Sequence, residues 1–452
     1  MDSFSQDTIA AISTAPVMAA VGMIRVSGPR AIEVTQQIFT KPLQNTPNRS
    51  VVYGSIQKNG QVLDQVLVTV FRAPHSYTGE DVVEISCHGS VFVLKSVLEL
   101  LIENGVRQAE RGEFTKRAFV NGKMDLSQAE AVIDLIEAQS QKEVHLSVHA
   151  MEGHLSDKIH EIRAVLLDLC SRIFAYVDFP DDGMEDVPPE QMAQVMEEQL
   201  GRIEKLIGTY QTGQLIKNGI QTVICGKPNV GKSSLMNQLT GYDRSIVTSV
   251  SGTTRDIVSE TISIHGQKFI LSDTAGVHTA TDEVERIGVE RALSLLKKAQ
   301  IVLFVADLSR PFDEEDHAIL QQLSQTEAKK ALIWNKSDLS QTSLPEDLSK
   351  IFEDTFRISA KDGTGVEEVC TWLGKISETT QQTDDIAVNT RQYQCLLRAR
   401  EALQQALKNR AFSPDILLED LETAVQALGE TTGKTVSAEI VEHIFSRFCV
   451  GK

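Results

Sequence analysis

Four short runs carry residue types at spacings that suit phosphate and purine chemistry. Gly226-Lys227-Pro228-Asn229-Val230-Gly231-Lys232-Ser233 fits the pattern GxxxxGK[ST], following a β-rich run and preceding a helical one. Glycines let the backbone N–H groups of such a loop, here through Ser234, wrap phosphate oxygens. Lys232 brings charge to the β- and γ-phosphates, and Ser233 brings a hydroxyl suited to Mg2+. Asp273-Thr274-Ala275-Gly276 adds a carboxylate for the Mg2+ shell and a glycine able to approach the γ-phosphate. Asn335-Lys336-Ser337-Asp338 ends in a carboxylate that accepts two hydrogen bonds from guanine N–H donors. Adenine lacks that donor pair and would leave the carboxylate unmatched. Ser359-Ala360-Lys361 offers backbone to read the guanine oxygen. Their order and spacing agree, so GTP is the nucleotide these residues specify.

The hydrolytic machinery is less explicit. Many GTPases place Gln directly after the DTAG-type motif to orient water, but Val277 stands there and cannot. Glu283 and Glu285 follow in HTATDEVERIG. Either suits the water-orienting role, and both also read as acids favoured at a helix start. Asn229 places an oxygen-bearing side chain inside the phosphate loop, where it suits a monovalent cation. Such an ion would supply the charge that an arginine finger supplies elsewhere. Thr253 and Thr254 in SVSGTTRD form a first switch, with Thr254 placed to complete the Mg2+ shell, and Thr248, Ser249, Val250, Ser251 and Gly252 before them are expected among the GTP-binding residues.

These runs need elements to position them. From Gly219 the strands IQTVICG, QKFILSD, IVLFVADLS, KALIWNKSD and FRISAK alternate with helical segments, which predicts a doubly wound parallel sheet over 216–382. Residues 1–120 read as a separate α/β unit. SGPRAIEVTQQIF predicts a helix with Pro29 in its first turn, and VVYGSIQKNGQVLDQVLVTVF predicts a hairpin turning at Asn59-Gly60. SVFVLKSVLELLIENG predicts a helix closed at Gly105. From Asp125, in capping-box spacing with Gln128, one helical run is expected up to the acidic, Pro-rich break DFPDDGMEDVPPE. A second runs from about Glu190 to Gln211, and helical texture returns after the polar stretch near residue 380. The predicted fold class is therefore multidomain α+β and α/β: an N-terminal α/β domain, then a helical domain (121–215 and 383–452) interrupted by an inserted P-loop GTPase domain.

Composition bounds the remaining possibilities. The 452 residues carry a formal charge of −18, the wrong sign for a surface that grips nucleic acid everywhere. Local contacts to RNA would fall on Lys116, Arg117 and Lys123, or on Arg391, Arg398, Arg400, Lys408 and Arg410. Solvated helix faces are the commoner use of such residues. The N-terminus has Asp2 and Asp7 where a signal peptide needs basic residues, and no run is apolar enough to span a membrane. Six scattered cysteines without a CxxC pair predict reduced thiols in a cytoplasmic protein. The end, FCVGK, is a poor prenylation box: Gly451 occupies an aliphatic position and Lys452 suits neither lipid class. A reactive thiol at Cys449 and a frayed helix end remain open readings.

These blocks together resemble the tRNA-modification GTPase family called MnmE or TrmE, over the whole chain. The resemblance rests on GxPNxGKSSLxN at 226–237, GTTRD at 252–256, DTAG at 273, DEVERIG at 282–288, SYTGEDVVE at 76–84, RGEFTKRAFVNGKMDLSQAEA at 111–131 and the terminal FCVGK. The G-domain motifs are shared with other GTPases, whereas the N-terminal blocks and tail are specific to this family. Val450 replaces the usual Ile, and Ser90 stands where a second Gly often follows HG.

The resemblance implies an aminomethyl- or carboxymethylaminomethyl-type modification at C5 of the wobble uridine of certain tRNAs. It implies a homodimer, and a heterotetramer with an FAD-carrying MnmG (GidA) flavoprotein. A tetrahydrofolate derivative of the 5-formyl or methylene type would supply the one-carbon unit. Residue by residue, Asn229, Thr248, Val250 and Thr253 would hold K+, Ser233 and Thr254 would hold Mg2+, and Glu285 would orient water. Arg25, Glu84, Lys123 and Lys452 would bind folate, for which a carboxylate suits pterin N–H groups and cations suit the glutamate tail. Cys449 would act near the folate pocket. A rival reading, a ribosome-docking assembly GTPase, leaves FCVGK and the folate positions without a purpose and normally requires a basic domain.

Overall fold

The computed structural model describes residues 7–178, 188–242, 259–273, 294–339, 348, 351–379, 385–409 and 414–452. The chain forms two compact units, one from Met1–Ile133, His149–Glu204 and Arg391–Lys452, the other from Asp134–Val148 and Lys205–Thr390.

The first unit contains a six-stranded sheet built from β1 (Ile9–Ile12), β2 (Val21–Ser27), β3 (Ser50–Lys58), β4 (Gln61–Phe71), β5 (Val82–His88) and β6 (Arg107–Gln108), in the order β3-β4-β5-β2-β1-β6. Asn59 (φ 51°) and Gly60 (φ 80°) turn the β3–β4 hairpin, with Lys58 opposite Gln61. Positive φ at both central residues matches the right-handed twist of the strands they join. Helices α1 (Ala31–Ile38) and α2 (Val91–Glu103) cover one sheet face, packing Val34, Ile38, Leu94 and Leu101 against Ala10, Ile24, Val26 and Ile85. Helix α1 starts at Ala31, so Pro29 precedes it rather than occupying its first turn. Gly28 holds φ 135° and Thr8 Oγ1 accepts from Arg30 N at 3.0 Å, so the chain is still turning there.

The expected single helix from Asp125 to the acidic break is three helices: α4 (Leu126–Glu137), α5 (Gln141–Glu152) and α6 (His154–Asp178). The signals were local. Asp125 and Gln128 form a reciprocal capping box (2.9 and 3.0 Å) that starts α4. Ser140 and Glu143 repeat the S-x-x-E pattern, with Ser140 Oγ accepting from Glu143 N at 3.3 Å ahead of α5. Gly153 (φ 93°) then separates α5 from α6. Along α6, Leu155, Ile159, Ile162, Leu166, Leu169 and Ile173 are buried at helical spacing, and α6 packs on α12 (Pro414–Thr432). Before α4 comes α3 (Glu113–Val120), and α7 (Pro189–Asn218) runs seven residues past its expected end, stopping at Gly219 with φ 75°. Helices α11 (Thr390–Asn409) and α13 (Ala438–Phe445) complete this part of the chain.

Four of the eight basic residues considered as RNA contacts or solvated faces are partners in ion pairs. Arg117 is 1% exposed and bonds Asp7 (2.7 Å), Glu80 (3.2 Å) and Glu113 (2.9 Å). Arg391 pairs with Glu130 at 2.7 Å, Arg398 with Glu430, and Lys116 with Glu442. Arg400 is half-buried, Lys408 is exposed, and Arg410 lies outside the described residues.

The second unit holds the strands β7 (Ile220–Cys225), β8 (Ser259–Ile264), β9 (Gln267–Asp273), β10 (Ile301–Asp307), β11 (Lys329–Asn335) and β12 (Asp354–Arg357), in the order β12-β11-β10-β7-β9-β8. Every pairing is parallel except β8 with β9. That edge strand was not foreseen; His265 (φ 50°) and Gly266 (φ 75°) turn it into a hairpin. The last strand comes earlier than FRISAK suggests, so Ser359-Ala360-Lys361 lies in the following loop. Helices α8 (Lys232–Tyr242), α9 (Glu314–Leu323) and α10 (Val366–Thr379) accompany the sheet. All seven residues of β10 are buried, as a central strand covered on both faces requires. The chain leaves β7 where its neighbours, β9 and β10, lie on opposite sides. Open parallel sheets bind ligands at such switch points.

Candidate functional site

The loop from β7 to α8 is built for close backbone approach. Gly226 holds φ 143°, and a Cβ there would sit 2.2 Å from the Val305 carbonyl oxygen. Gly231 holds φ 97°, and a Cβ would sit 2.2 Å from Asn335 Nδ2. Between them Asn229 adopts φ 62°, a left-handed conformation that Asn tolerates better than most residues. Lys232 reaches back into the loop and donates to the Gly226 and Lys227 carbonyl oxygens, both at 2.8 Å. Burial pushes its ammonium below the ordinary lysine value, and the nearby Asp273 carboxylate opposes that shift. Ser233 Oγ donates to Asp273 Oδ2 at 3.3 Å. A hydroxyl beside a carboxylate at the start of a helix is the hard-oxygen donor set that Mg2+ takes, so the residues present fit that ion.

A second cluster joins this loop to the ends of β11 and β12. The Asn335 side chain is 3% exposed and acts as a latch. Its Nδ2 donates to Val230 O at 2.8 Å, and its Oδ1 accepts from Ala360 N at 2.9 Å. Within Ser359-Ala360-Lys361, the Ala360 N–H thus serves the latch. Ser359 Oγ donates to Asp338 Oδ1 at 3.1 Å, which orients that carboxylate. Lys336 (φ 65°) bonds Asp307 Oδ2 at 2.7 Å. Burial disfavours ionised Asp307, but Lys336 and Ser309 together hold its carboxyl below the usual range. Lys227 is fastened to Asp313 and to Asp316 (3.0 Å), the capping box that opens α9. Asp307, Asp313 and Asp316 were not singled out from the sequence. The D-x-x-D capping spacing could have flagged the latter two; Asp307 ends an apolar strand with no such signal. Thr248, Ser249, Val250, Ser251, Gly252, Thr253, Thr254, Thr274, Ala275, Gly276, Val277, Glu283 and Glu285 lie outside the described residues.

In the first unit, Arg25 and Glu84 face each other across β2 and β5. Arg25 Nη2 and Nε donate to Glu84 Oε1 at 2.8 and 3.0 Å. The Arg25 guanidinium also lies 5.3 Å from the Tyr77 ring centre and 5.7 Å from that of Phe114. Charge and aromatic surface therefore share the sheet face opposite α1 and α2, where Ile9, Ala11, Ala109 and Phe114 are buried. Tyr77 and Phe114 are additions that spacing alone did not reveal, since Arg25 and Phe114 come from distant segments. Lys123 Nζ donates to Pro74 O at 3.0 Å, in the loop leading to Tyr77.

The C-terminal tail is anchored rather than frayed. Phe448 is 2% exposed and lies 5.2 Å from the Phe445 ring. Gly112 N donates to Cys449 O at 3.3 Å, and Val450 pairs with Arg111 as an antiparallel bridge. Gly451 (φ 96°) passes so close to β1 that a Cβ would meet Ile12 O at 2.5 Å. Lys452 follows directly. Fixed backbone on both sides presents Cys449, the exposed member of six cysteines. Burial pushes the thiols of Cys87, Cys225 and Cys370 up to about 12 and that of Cys170 to about 11. Maleimide treatment of the native chain is expected to label Cys449 alone at neutral pH, and mass spectrometry of the peptides checks it; equal labelling of any buried cysteine would contradict this arrangement.

A family model described as the MnmE helical domain matches residues 126–449, and one described as the GTP-binding protein TrmE N-terminus matches residues 8–123. Among curated proteins, the tRNA modification GTPase MnmE of Alkaliphilus oremlandii is 41% identical over 463 residues, spanning 99% of this chain and 100% of its own. Its namesake from Caldicellulosiruptor saccharolyticus is 41% identical over 455 residues, spanning 99% of each. That of Clostridioides difficile is 37% identical over 463 residues, spanning 99% and 100%.

Proposed function

The chain belongs to the MnmE family of tRNA-modification GTPases, and from that premise we propose that its GTP cycle drives modification of C5 of the wobble uridine in certain tRNAs. In this reading it works in the cytoplasm as a homodimer with a flavoprotein of the MnmG type, which carries FAD, and it takes the one-carbon unit from a reduced folate. Residues 1–120 would bind folate and pair the copies, 121–215 with 383–452 would form the helical frame, and 216–382 the inserted GTPase. No described helix is long and apolar enough to cross a membrane.

The observation that carries the GTPase part is the Asn335 latch, which holds the phosphate loop and the guanine-reading loop in one rigid frame through bonds of 2.8 and 2.9 Å. Backbone N–H groups from Asn229 to Ser234 would cradle the phosphates, with Lys232 lending its charge from inside the loop. Asp338 would accept the guanine N–H pair. Ser233 and Asp273, joined by Thr254, would hold Mg2+, which when bound neutralises charge building on the phosphates. Glu285 would orient the attacking water, since Val277 has no polar group to do so. Arg25 and Glu84, with Lys123 and Lys452, would bind folate; the Tyr77 and Phe114 rings beside that pair support a flat aromatic ligand there. Cys449, fixed by its neighbours yet exposed, would act at the same pocket.

Cells lacking the protein, re-supplied with the intact chain or with Cys449→Ser, test the reading. Digested tRNA should lose the C5 modification in the deletion and regain it with the intact chain. Unchanged wobble uridines would sink the tRNA assignment and move the ribosome-docking reading forward. Restoration by Cys449→Ser as well would keep the function and remove the cysteine from it.

For the monovalent cation, GTP turnover should be at least about tenfold faster in K+ than in Na+ at equal ionic strength, as expected when an ion replaces an arginine finger. Asn229→Gly tolerates the positive φ and should abolish that difference. Equal rates in the two salts would exclude K+ from the phosphate site, with Thr248, Val250 and Thr253 losing their proposed role.

A further inference from the structure

The corner between α5 and α6 collects three side chains of metal-binding type. His149 and Glu152 are three residues apart on α5, which puts them on one helical face. Gly153 turns the chain with φ 93°, and His154 opens α6. His149 Nδ1 lies 3.0 Å from His154 Nδ1, with ring centres 4.7 Å apart. Glu152 Oε2 lies 3.8 Å from His149 Nδ1 and 3.6 Å from His154 Nε2. The three can each turn one ligand atom to a common point, all within 4.8 Å of one another. Ligands at about 2.0–2.2 Å from a tetrahedral zinc ion stand roughly 3.3 Å apart; each imidazole gives one nitrogen to an ion, so the three side chains must draw together from within 4.8 Å to coordinate it.

The corner is also held from behind. Gln128 of α4 donates through Nε2 to Met151 O at 2.9 Å, while its Oε1 accepts from Asp125 N. A Cβ at Gly153 would meet that same amide at 3.2 Å. The last turn of α5 is therefore fixed before any ion arrives, which lowers the ordering cost of binding. Two imidazole nitrogens at 3.0 Å need one proton between them, and a cation can take the place of that proton. Two nitrogens and one carboxylate oxygen favour a borderline transition metal over Mg2+ or Ca2+, which prefer all-oxygen shells.

We propose that His149, Glu152 and His154 form a divalent transition-metal site of the zinc type, with solvent completing the shell, clipping the end of α5 to the start of α6. The site is separate from the Mg2+ and K+ positions of the nucleotide loop and stands whether or not the tRNA reading holds.

The test uses the untagged full-length chain carrying Cys449→Ser, which removes the exposed thiol as a competing ligand, with Mg2+ in excess throughout. Titration with Co2+ should give visible d–d absorption saturating at one equivalent, and Zn2+ should displace it. His149→Ala and His154→Ala should each weaken binding about tenfold or more, since even outer-shell changes cost that much, and Glu152→Gln less. X-ray absorption at the zinc edge of the chain without those three substitutions should show nitrogen and oxygen neighbours including imidazole. Absence of Co2+ absorption, affinity unchanged in both histidine variants, or sulfur neighbours at the zinc edge would each overturn the site. Because the absorption readouts need no substitution at His149, Glu152 or His154, misfolding of a chain altered there would leave them decisive.

Discussion

Asp338→Asn is expected to weaken GTP binding on the order of 10²- to 10⁴-fold while improving binding of xanthosine triphosphate. The carboxylate would accept two guanine N–H bonds, each worth about 1.5–3 kcal/mol when the acceptor is charged. Asn keeps the shape but turns one acceptor into a donor, which meets guanine N–H with N–H and the xanthine oxygen with a partner. The position is well prepared for this role: Ser359 Oγ fixes Asp338 Oδ1 at 3.1 Å, and Asn335 ties the neighbouring loop to the phosphate cradle. Competition against a fluorescent guanine nucleotide reads both affinities. Unchanged GTP affinity would mean that Asp338 does not read the base.

Arg117→Met is expected to destabilise the first unit by about 3–5 kcal/mol, the usual result of removing one partner from a buried charge network. Arg117 is 1% exposed and meets three acids, of which Glu113 is 5% exposed. Burial alone would raise the Glu113 carboxyl, but hydrogen bonds from Arg107, the Glu110 backbone and Arg117 hold it below its ordinary 4.5. A carboxyl lowered in the folded chain stabilises it fully above the ordinary value and ceases to as pH falls through the lowered one. The native chain should therefore lose stability on acidification below about pH 4.5. The variant should lose less over that window, because burial then acts on Glu113 with one fewer opposing charge. Urea unfolding across pH checks both statements, with retained GTP binding as the control for an intact second unit. A loss under about 1 kcal/mol at neutral pH would show the network to be dispensable.

The same residue shows where sequence reading fails. Lys116, Arg117 and Arg391 have the look of a basic patch, and on charge alone they suggest RNA or solvent. Glu113 stands one helical turn before Arg117, a local partner, but the other acids lie far along the chain: Asp7 is 110 residues from Arg117, and Glu130 is 261 from Arg391. No local pattern links such partners, because sheet order and helix packing bring them together. Helix breaks are a different case. Ser140-x-x-Glu143 and Gly153 were present as local signals, and the continuous apolar spacing masked them.

From the sequence alone came the Gly226–Ser233 loop, the Asn59-Gly60 hairpin turn and the Asp125–Gln128 cap. Each of these works through contacts within a few residues, so spacing carries the physics: a positive φ, a backbone N–H, a side chain reaching three positions along. Tertiary structure alone decided what lies far apart in the chain and meets in space. It put Arg25 against Glu84, 59 residues on, beside two aromatic rings. It made Asn335 a latch to Val230, 105 residues away, and fastened the tail to Gly112 and β1 so that Cys449 stands exposed on a fixed backbone. The free energy of such contacts depends on the burial and geometry that the whole fold imposes, and a linear spacing contains neither.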